Sequence, residues 1–189
     1  MDNRLNIINR KIIQQYLINR NMSETEFDEF ITGDGFFEGI GDLDISYNYD
    51  QLISSAIKLL NTNSYDLEII QALLISCAID EETGYALDAI LTEMNRPALY
   101  NLIICGIFHS WPRVRCCFYQ NIKDIDVINC DIILYNLLLD EQNAYALRIG
   151  LIALSELNLF LAKKIAFKHE NHLDPYLRNI CIELSNMQF

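Results

Sequence analysis

Proline and glycine are scarce in this chain, which contains 3 prolines and 7 glycines among its 189 residues. Four of the glycines lie between residues 33 and 41, so the remaining sequence offers few interruptions to helices. Apolar residues make up 51% of the chain and charged residues 21%, which predicts a packed core and excludes a disordered chain. At this length we expect a single domain over residues 1–189, divided into an N-terminal part (1–49) and helical repeats (50–189).

The sequence also lacks a long apolar run and a leader-like N-terminus. The longest stretch without Asp, Glu, Lys or Arg covers residues 97–112, which is shorter than the roughly 20 residues of a membrane-spanning helix. Charged residues are spread over the first 20 positions, so we expect no cleaved signal peptide. These absences predict a cytoplasmic protein with no membrane partner.

Cysteines are present, but none lies in a C-x-x-C pair or another metal-binding spacing. We therefore interpret them as small core residues of a protein in a reducing compartment. The six are Cys77, Cys105, Cys116, Cys117, Cys130 and Cys181.

Cations are missing from residues 24–50, which we call the acidic segment. The whole chain has a net charge of −12, and this segment carries nine carboxylates with no Lys or Arg, interleaved with aromatic residues. Carboxylates attract a basic partner and aromatic side chains anchor it, so we predict a partner-binding surface here. Its candidate residues are Glu24, Glu26, Asp28, Glu29, Asp34, Phe36, Phe37, Glu38, Asp42, Asp44, Tyr47 and Tyr49. The alternative is a solvated connector whose aromatic side chains pack on the first helical repeat.

Helical periodicity dominates the rest of the chain and predicts an all-α protein of about 9–11 helices. Residues 5–20 form one predicted helix, and a capping box at residues 23–26 begins a short second one. Apolar and polar residues then alternate, which predicts a short extended segment near residues 36–49. Further helices are predicted at 51–61, 65–79, 83–94, 97–109, 112–122, 126–139, 143–157, 159–170 and 175–186. Asp174 is a predicted N-cap, and prolines 97, 112 and 175 each fall at a predicted first helical position.

The helical part contains an internal echo. Residues 81–87 match residues 141–147 at an offset of 60, and residues 112–115 match 175–178 at an offset of 63. The segments 111–115, 146–149 and 174–178 resemble HEAT repeats, in which a turn containing Pro or Asp leads into an apolar residue followed by Arg. The resemblance covers residues 50–187 and implies an α-solenoid with a concave binding face; an irregular helical bundle is the alternative architecture.

Two patterns in the acidic segment bear on metal chemistry. Asp42 and Asp44 resemble the Mg²⁺-binding aspartates of nucleotidyltransferases, but that family places them on a central sheet, which this sequence does not predict. Residues 42–50 resemble the start of an EF-hand loop, yet Tyr47 and Ile53 stand where that loop needs Gly and Glu. We expect a solvated acidic loop without metal or cofactor.

Neither a catalytic group nor a nucleic-acid surface is evident elsewhere. His169 and His172 lie near a predicted helix end, where capping is the expected role, and no nucleophile motif occurs. Binding about 6–10 phosphates would need that many cations on one surface. The chain has 14 scattered cations, of which Lys163, Lys164 and Lys168 form one cluster. We predict no enzymatic activity. We also predict no direct nucleic-acid binding, unless the three lysines of this cluster converge with Arg178.

Two functional hypotheses follow. In the first, the protein is a cytoplasmic immunity protein, a toxin inhibitor whose acidic segment binds a basic, nuclease-type toxin domain and occludes its active site. In the second, it is a helical-repeat adaptor that holds a protein or peptide on residues such as Tyr85, Arg115, Tyr145 and Arg148. The two hypotheses differ in where the partner binds.

Overall fold

The fold was analysed in a computed structural model, which describes residues 47–79, 85–125 and 128–187. Within these residues the chain forms nine α-helices and one 3₁₀ helix, without a strand, which confirms the all-α prediction. The α-helices are α1 (Tyr47–Thr62), α2 (Leu67–Ile79), α3 (Tyr85–Glu93), α4 (Arg96–Ile107), α5 (Pro112–Gln120), α6 (Cys130–Leu139), α7 (Ala144–Leu157), α8 (Leu159–His169) and α9 (Pro175–Asn186). The 3₁₀ helix, Ile122–Ile125, lies between α5 and α6.

The N-terminal predictions fall largely outside the described residues. These are the helix at 5–20, the short helix after it and residues 36–46 of the extended segment. Residues 47–49 are helical rather than extended, so the predicted segment does not reach residue 49. Tyr49 lies four residues before Ile53 and eight before Ile57, and both isoleucines are fully buried. The helical spacing of these isoleucines therefore extends back to Tyr49, and Asp50 near the start of the helix favours a helix start.

The start of α6 also differs from the prediction. The helix predicted from residue 126 begins at Cys130, because Asn129 has a left-handed backbone with φ 57°. Asparagine adopts this conformation more readily than most residues, and a left-handed residue cannot continue a right-handed helix. The other boundaries agree within a few residues, and Asp174 caps α9 as predicted by accepting a hydrogen bond from Leu177 N at 2.7 Å.

The described residues form two compact units, which divide between Val114 and Arg115 within α5. In the first unit, α1 contacts α2, α3 and α4, and α2 contacts α3 and α4. Asn61 at the end of α1 accepts a hydrogen bond from Asn95 N at 2.8 Å and donates one to Glu93 O at 2.9 Å, which fixes the α3–α4 turn. The single domain expected over residues 1–189 remains a prediction.

From α6 onward, the helices of the second unit contact the helices that follow them in the chain. Helix α6 contacts α7 and α8, α7 contacts α8 and α9, and α8 contacts α9. The helices bury the apolar stripes on which the prediction was based; Leu134, Leu151, Leu154 and Leu177 are fully buried. This arrangement positions the candidate site, because it places α7 beside α9 and α6 beside α8.

Candidate protein-binding surface

The predicted acidic surface lies mostly beyond the described residues. Tyr47 and Tyr49 belong to the first turn of α1. The other ten candidates are outside the described part of the chain: Glu24, Glu26, Asp28, Glu29, Asp34, Phe36, Phe37, Glu38, Asp42 and Asp44. The binding role of the acidic segment therefore stays a prediction. So does the expected absence of a Mg²⁺ site at Asp42 and Asp44.

A buried ion pair joins α5 to the loop between α6 and α7. Arg115 Nη2 lies 2.7 Å from Glu141 Oε1, and Arg115 Nε donates to Glu141 Oε2 at 2.8 Å. The Tyr119 hydroxyl donates to the same Oε2 at 3.1 Å, and Asn143 N donates to Oε1 at 3.0 Å. Only 4% of the Glu141 side chain is exposed, against 15% of the Arg115 side chain. This bidentate geometry gives Arg115, which the repeat pattern had suggested as a binding residue, a structural role.

The pKa shifts of Glu141 and Arg115 favour the ionised form of both side chains at neutral pH. Burial alone raises the pKa of Glu141, but the hydrogen bonds from Arg115, Asn143 N and Tyr119 outweigh burial and hold it below its usual value. Burial opposes the charge of Arg115, and its bonds to Glu141 raise its pKa instead. Burial, followed by the charge of Glu141, raises the pKa of Tyr119. The pair therefore stays ionised while the phenol stays protonated.

A cluster of two tyrosines and one arginine lies where α7 and α9 begin. The Arg148 guanidinium carbon is 5.2 Å from the ring centroid of Tyr145 and 5.5 Å from that of Tyr176. Tyr176 is 66% exposed, while Tyr145 and Arg148 are half-buried. Both distances suit cation–π attraction, so the three side chains hold one another in place. We call this set the tyrosine–arginine cluster (Tyr145, Arg148 and Tyr176).

The sequence identified this cluster only in part. Tyr145 and Arg148 came from the repeat pattern, and Tyr85, also suggested there, begins α3 in the first unit. Tyr176 was not proposed as a binding residue, although it lies inside the 175–178 echo. A signal for it was therefore present in the sequence, but its proximity to Arg148 depends on the packing of α9 against α7.

The sequence match at an offset of 63 residues extends to two histidines that make the same hydrogen bond. His109 Nδ1 accepts a hydrogen bond from Trp111 N at 3.0 Å, and His172 Nδ1 accepts one from Asp174 N at the same distance. Each histidine stands three residues before the proline that begins the next helix. The two turns are thus built alike, and both use a ring nitrogen that must be unprotonated to accept the bond.

Two histidines lie close to each other near the end of α8. The rings of His169 and His172 lie 5.9 Å apart. Across the described ranges, no three His, Cys, Asp or Glu side chains are grouped so as to hold a metal ion. Burial lowers the pKa of His169, and the nearby His172 and Lys168 lower it further.

We expect this histidine to make the protein less stable in mild acid. The unfolded chain has a histidine pKa of about 6.5, above that of folded His169, so the unfolded state takes up the proton first. The contribution of His169 to the free energy of unfolding should be fully present above about pH 6.5 and should be lost as the pH falls through the lower pKa of folded His169. Urea unfolding at pH 7.5 and 5.5 should show a smaller pH dependence for His169→Gln than for the wild type; an unchanged dependence would contradict this assignment.

The cysteines are free, and two of them have raised pKa values. All six are free thiols; four are buried, and Cys105 and Cys130 are half-buried. Burial raises the pKa of Cys105, and burial with the charge of Glu170 raises the pKa of Cys181 to about 11. Catalytic thiols have lowered pKa values, so these two side chains fit the predicted core role.

Lys163, one member of the cationic cluster, contacts the opposite end of α9 from Arg178. Lys163 Nζ contacts Met187 O at the C-cap of α9, whereas Arg178 Nη1 donates to His172 O, at 2.9 Å, before that helix begins. The two contacts are separated by the length of α9, whose 12 residues span about 18 Å. Lys163 and Arg178 therefore do not share a phosphate-binding surface, and the absence of direct nucleic-acid binding stays a prediction.

No helix in the described part of the chain is long and apolar enough to cross a membrane. A comparison of the chain with protein-family models, curated proteins and solved structures found no match.

Proposed function

We propose that this protein is a non-enzymatic, helical-repeat adaptor that binds a protein or peptide at the tyrosine–arginine cluster. The observation that carries the proposal is the geometry of the cluster, in which a half-buried Arg148 lies against a ring exposed by 66%. Tyrosine and arginine are the residue types enriched in interface hot spots. Because the three side chains are already ordered by mutual contact, binding would cost less conformational entropy than at mobile side chains.

The packing of the second unit supports a repeat architecture. Helices α6 and α7 each contact the next two helices and α8 contacts α9, as expected of stacked helical units in which contacts are made between neighbours. The repeated histidine turns at residues 109–112 and 172–175 are a further sign of a repeated building plan. We propose a HEAT-like repeat protein on these grounds, with α7 and α9 forming part of its binding face.

Replacing Tyr176 by alanine tests the adaptor proposal. We expect the affinity for the partner to fall at least tenfold, about 1.4 kcal/mol, because Tyr176 is the most exposed side chain of the cluster and would be removed. The partner can be identified by affinity capture from the native lysate, and its dissociation constant measured by calorimetry. The matched control is Tyr100→Ala, which removes a tyrosine that is 62% exposed on α4 of the first unit. Equal affinities for both variants would contradict the proposal.

A second candidate function rests on the charge distribution of the sequence. We propose, as this alternative, that the protein is an immunity protein whose acidic segment binds a basic, nuclease-type toxin. The supporting observation is the run of nine carboxylates without a cation between residues 24 and 50. Such a surface would accelerate association with a basic partner in a salt-dependent manner.

Charge reversal tests the immunity alternative. In the variant Asp42→Lys with Asp44→Lys, the association rate should fall and lose most of its salt dependence, because electrostatic steering is removed. Stopped-flow binding at low and moderate salt measures both. Deleting residues 24–50 separates the two functions: a basic partner lost with the deletion favours the immunity protein, whereas a partner that survives it favours the adaptor.

A further inference from the structure

Helices α6 and α8 begin side by side. Asn158 Nδ2, at the N-cap of α8, donates to Asp131 Oδ2 in the first turn of α6 at 2.9 Å. The same asparagine caps α8 by accepting a hydrogen bond from Leu161 N at 3.2 Å. Since the two helices also contact each other, positions counted from this bridge correspond along the pair.

The exposed apolar residues of these helices have the same spacing. On α6, Ile132 is 46% exposed and Leu139 is 41% exposed; on α8, Phe160 is 55% exposed and Phe167 is 73% exposed. Each pair is separated by seven residues, which is about two turns or 10 Å. We call these four residues, together with Lys164, the α6–α8 surface.

The charge on this surface is opposite to that of the chain. Helix α8 carries three lysines and no acidic residue, in a protein with a net charge of −12. The exposed Lys164, midway between the two phenylalanines, places its Nζ 4.3 Å from the ring centroid of Phe160. Within α6 the carboxylate of Asp131 is engaged by Asn158, while the exposed Asp140 at the C-cap lies next to Leu139, at the far end from the Asn158 bridge. The surface therefore combines apolar anchors with local positive charge.

We propose that the α6–α8 surface binds an acidic amphipathic helix of a protein partner. Apolar residues seven positions apart on the ligand helix would match the spacing on α6 and α8, and its flanking carboxylates would meet Lys164 and Lys168. An anionic membrane is the competing ligand for lysines and phenylalanines. The net charge of −12 opposes it, because the rest of the protein would be repelled by the lipid headgroups. This surface is independent of the tyrosine–arginine cluster.

The test uses three synthetic 18-residue helical peptides with one shared apolar pattern and with glutamate, glutamine or lysine at the flanking positions. Fluorescence anisotropy with the full chain should give the tightest binding for the glutamate peptide, at least tenfold tighter than for the lysine peptide. The variant Lys164→Glu with Lys168→Glu should reverse this order. Lys58→Glu, an exposed lysine on α1 of the first unit, is the matched control and should leave the order unchanged.

The remaining outcomes overturn the proposal. They are no binding of the glutamate peptide up to 1 mM, an order unchanged in the double variant, or unchanged affinity after Phe160→Ala and Phe167→Ala. Co-sedimentation with vesicles of anionic and neutral phospholipid provides the membrane arm. Binding to the anionic vesicles that the same phenylalanine substitutions abolish would assign the surface to lipid instead.

Discussion

Arg115→Met should destabilise the second unit by about 3–5 kcal/mol, the largest effect that we expect from a single substitution outside the apolar core. The Glu141 carboxylate would remain, with 4% of its side chain exposed and without its bidentate partner. Tyr119 and Asn143 N would still donate to it, but neither carries a compensating charge. Urea unfolding followed by circular dichroism gives the change in the free energy of unfolding.

The control for this prediction also removes the Glu141 carboxylate, which Arg115→Met leaves without its ion-pair partner. Adding Glu141→Met to Arg115→Met should recover most of the lost stability, because the cost arises from burying an unpaired carboxylate rather than from losing an attraction. Acidification should also narrow the difference between Arg115→Met and the wild type, as protonation neutralises Glu141 in the variant. A loss below about 1 kcal/mol at neutral pH would show that solvent or other groups compensate the carboxylate.

Gly150→Val should destabilise the protein by about 2–3 kcal/mol through overpacking between α6 and α7. A β-carbon at Gly150 would overlap the Leu138 methyl groups, and Leu138 is 1% exposed, so its side chain has little room to move. The gain in helix propensity over glycine is only a few tenths of a kcal/mol and does not offset this overlap. Gly150→Ala, with fewer added atoms, should cost less in the same urea measurement.

A second-site substitution tests whether Leu138 is the obstacle. Leu138→Ala alone should cost about 2–5 kcal/mol, because it leaves a cavity. Combined with Gly150→Val, it should cost at least about 1 kcal/mol less than the sum of the single effects, since the valine fills part of that cavity. Strict additivity would mean that the two side chains do not compete for the same space.

Helix content was predictable from the sequence because apolar periodicity and few breakers are local signals. The boundaries that differed depended on single residues. Helix α6 begins at Cys130 because the preceding residue, Asn129, has a left-handed backbone. Nothing in the neighbouring sequence indicated that Asn129 would adopt this conformation. At α1, residues 47–49 were assigned to the extended segment because apolar and polar residues alternate there, although Tyr49 is also at helical spacing from the buried Ile53 and Ile57.

Contacts between distant positions were the part that the sequence could not supply. Arg115 and Glu141 are 26 positions apart, and neither the HEAT-like pattern nor the echo paired them. The close approach of Gly150 to Leu138 likewise depends on how α7 packs on α6. The tyrosine–arginine cluster was predictable in part. Tyr145 and Arg148 are on the same helix, whereas Tyr176 approaches them only through the packing of α9 on α7.

Hydrogen–deuterium exchange on the complex with the captured partner tests the central claim most directly, because it locates the binding surface along the whole chain. The adaptor proposal predicts slower exchange at the amides of residues 144–149 and 175–180, with no change across residues 24–50. Protection confined to residues 24–50 would contradict it and would place the partner on the acidic segment instead.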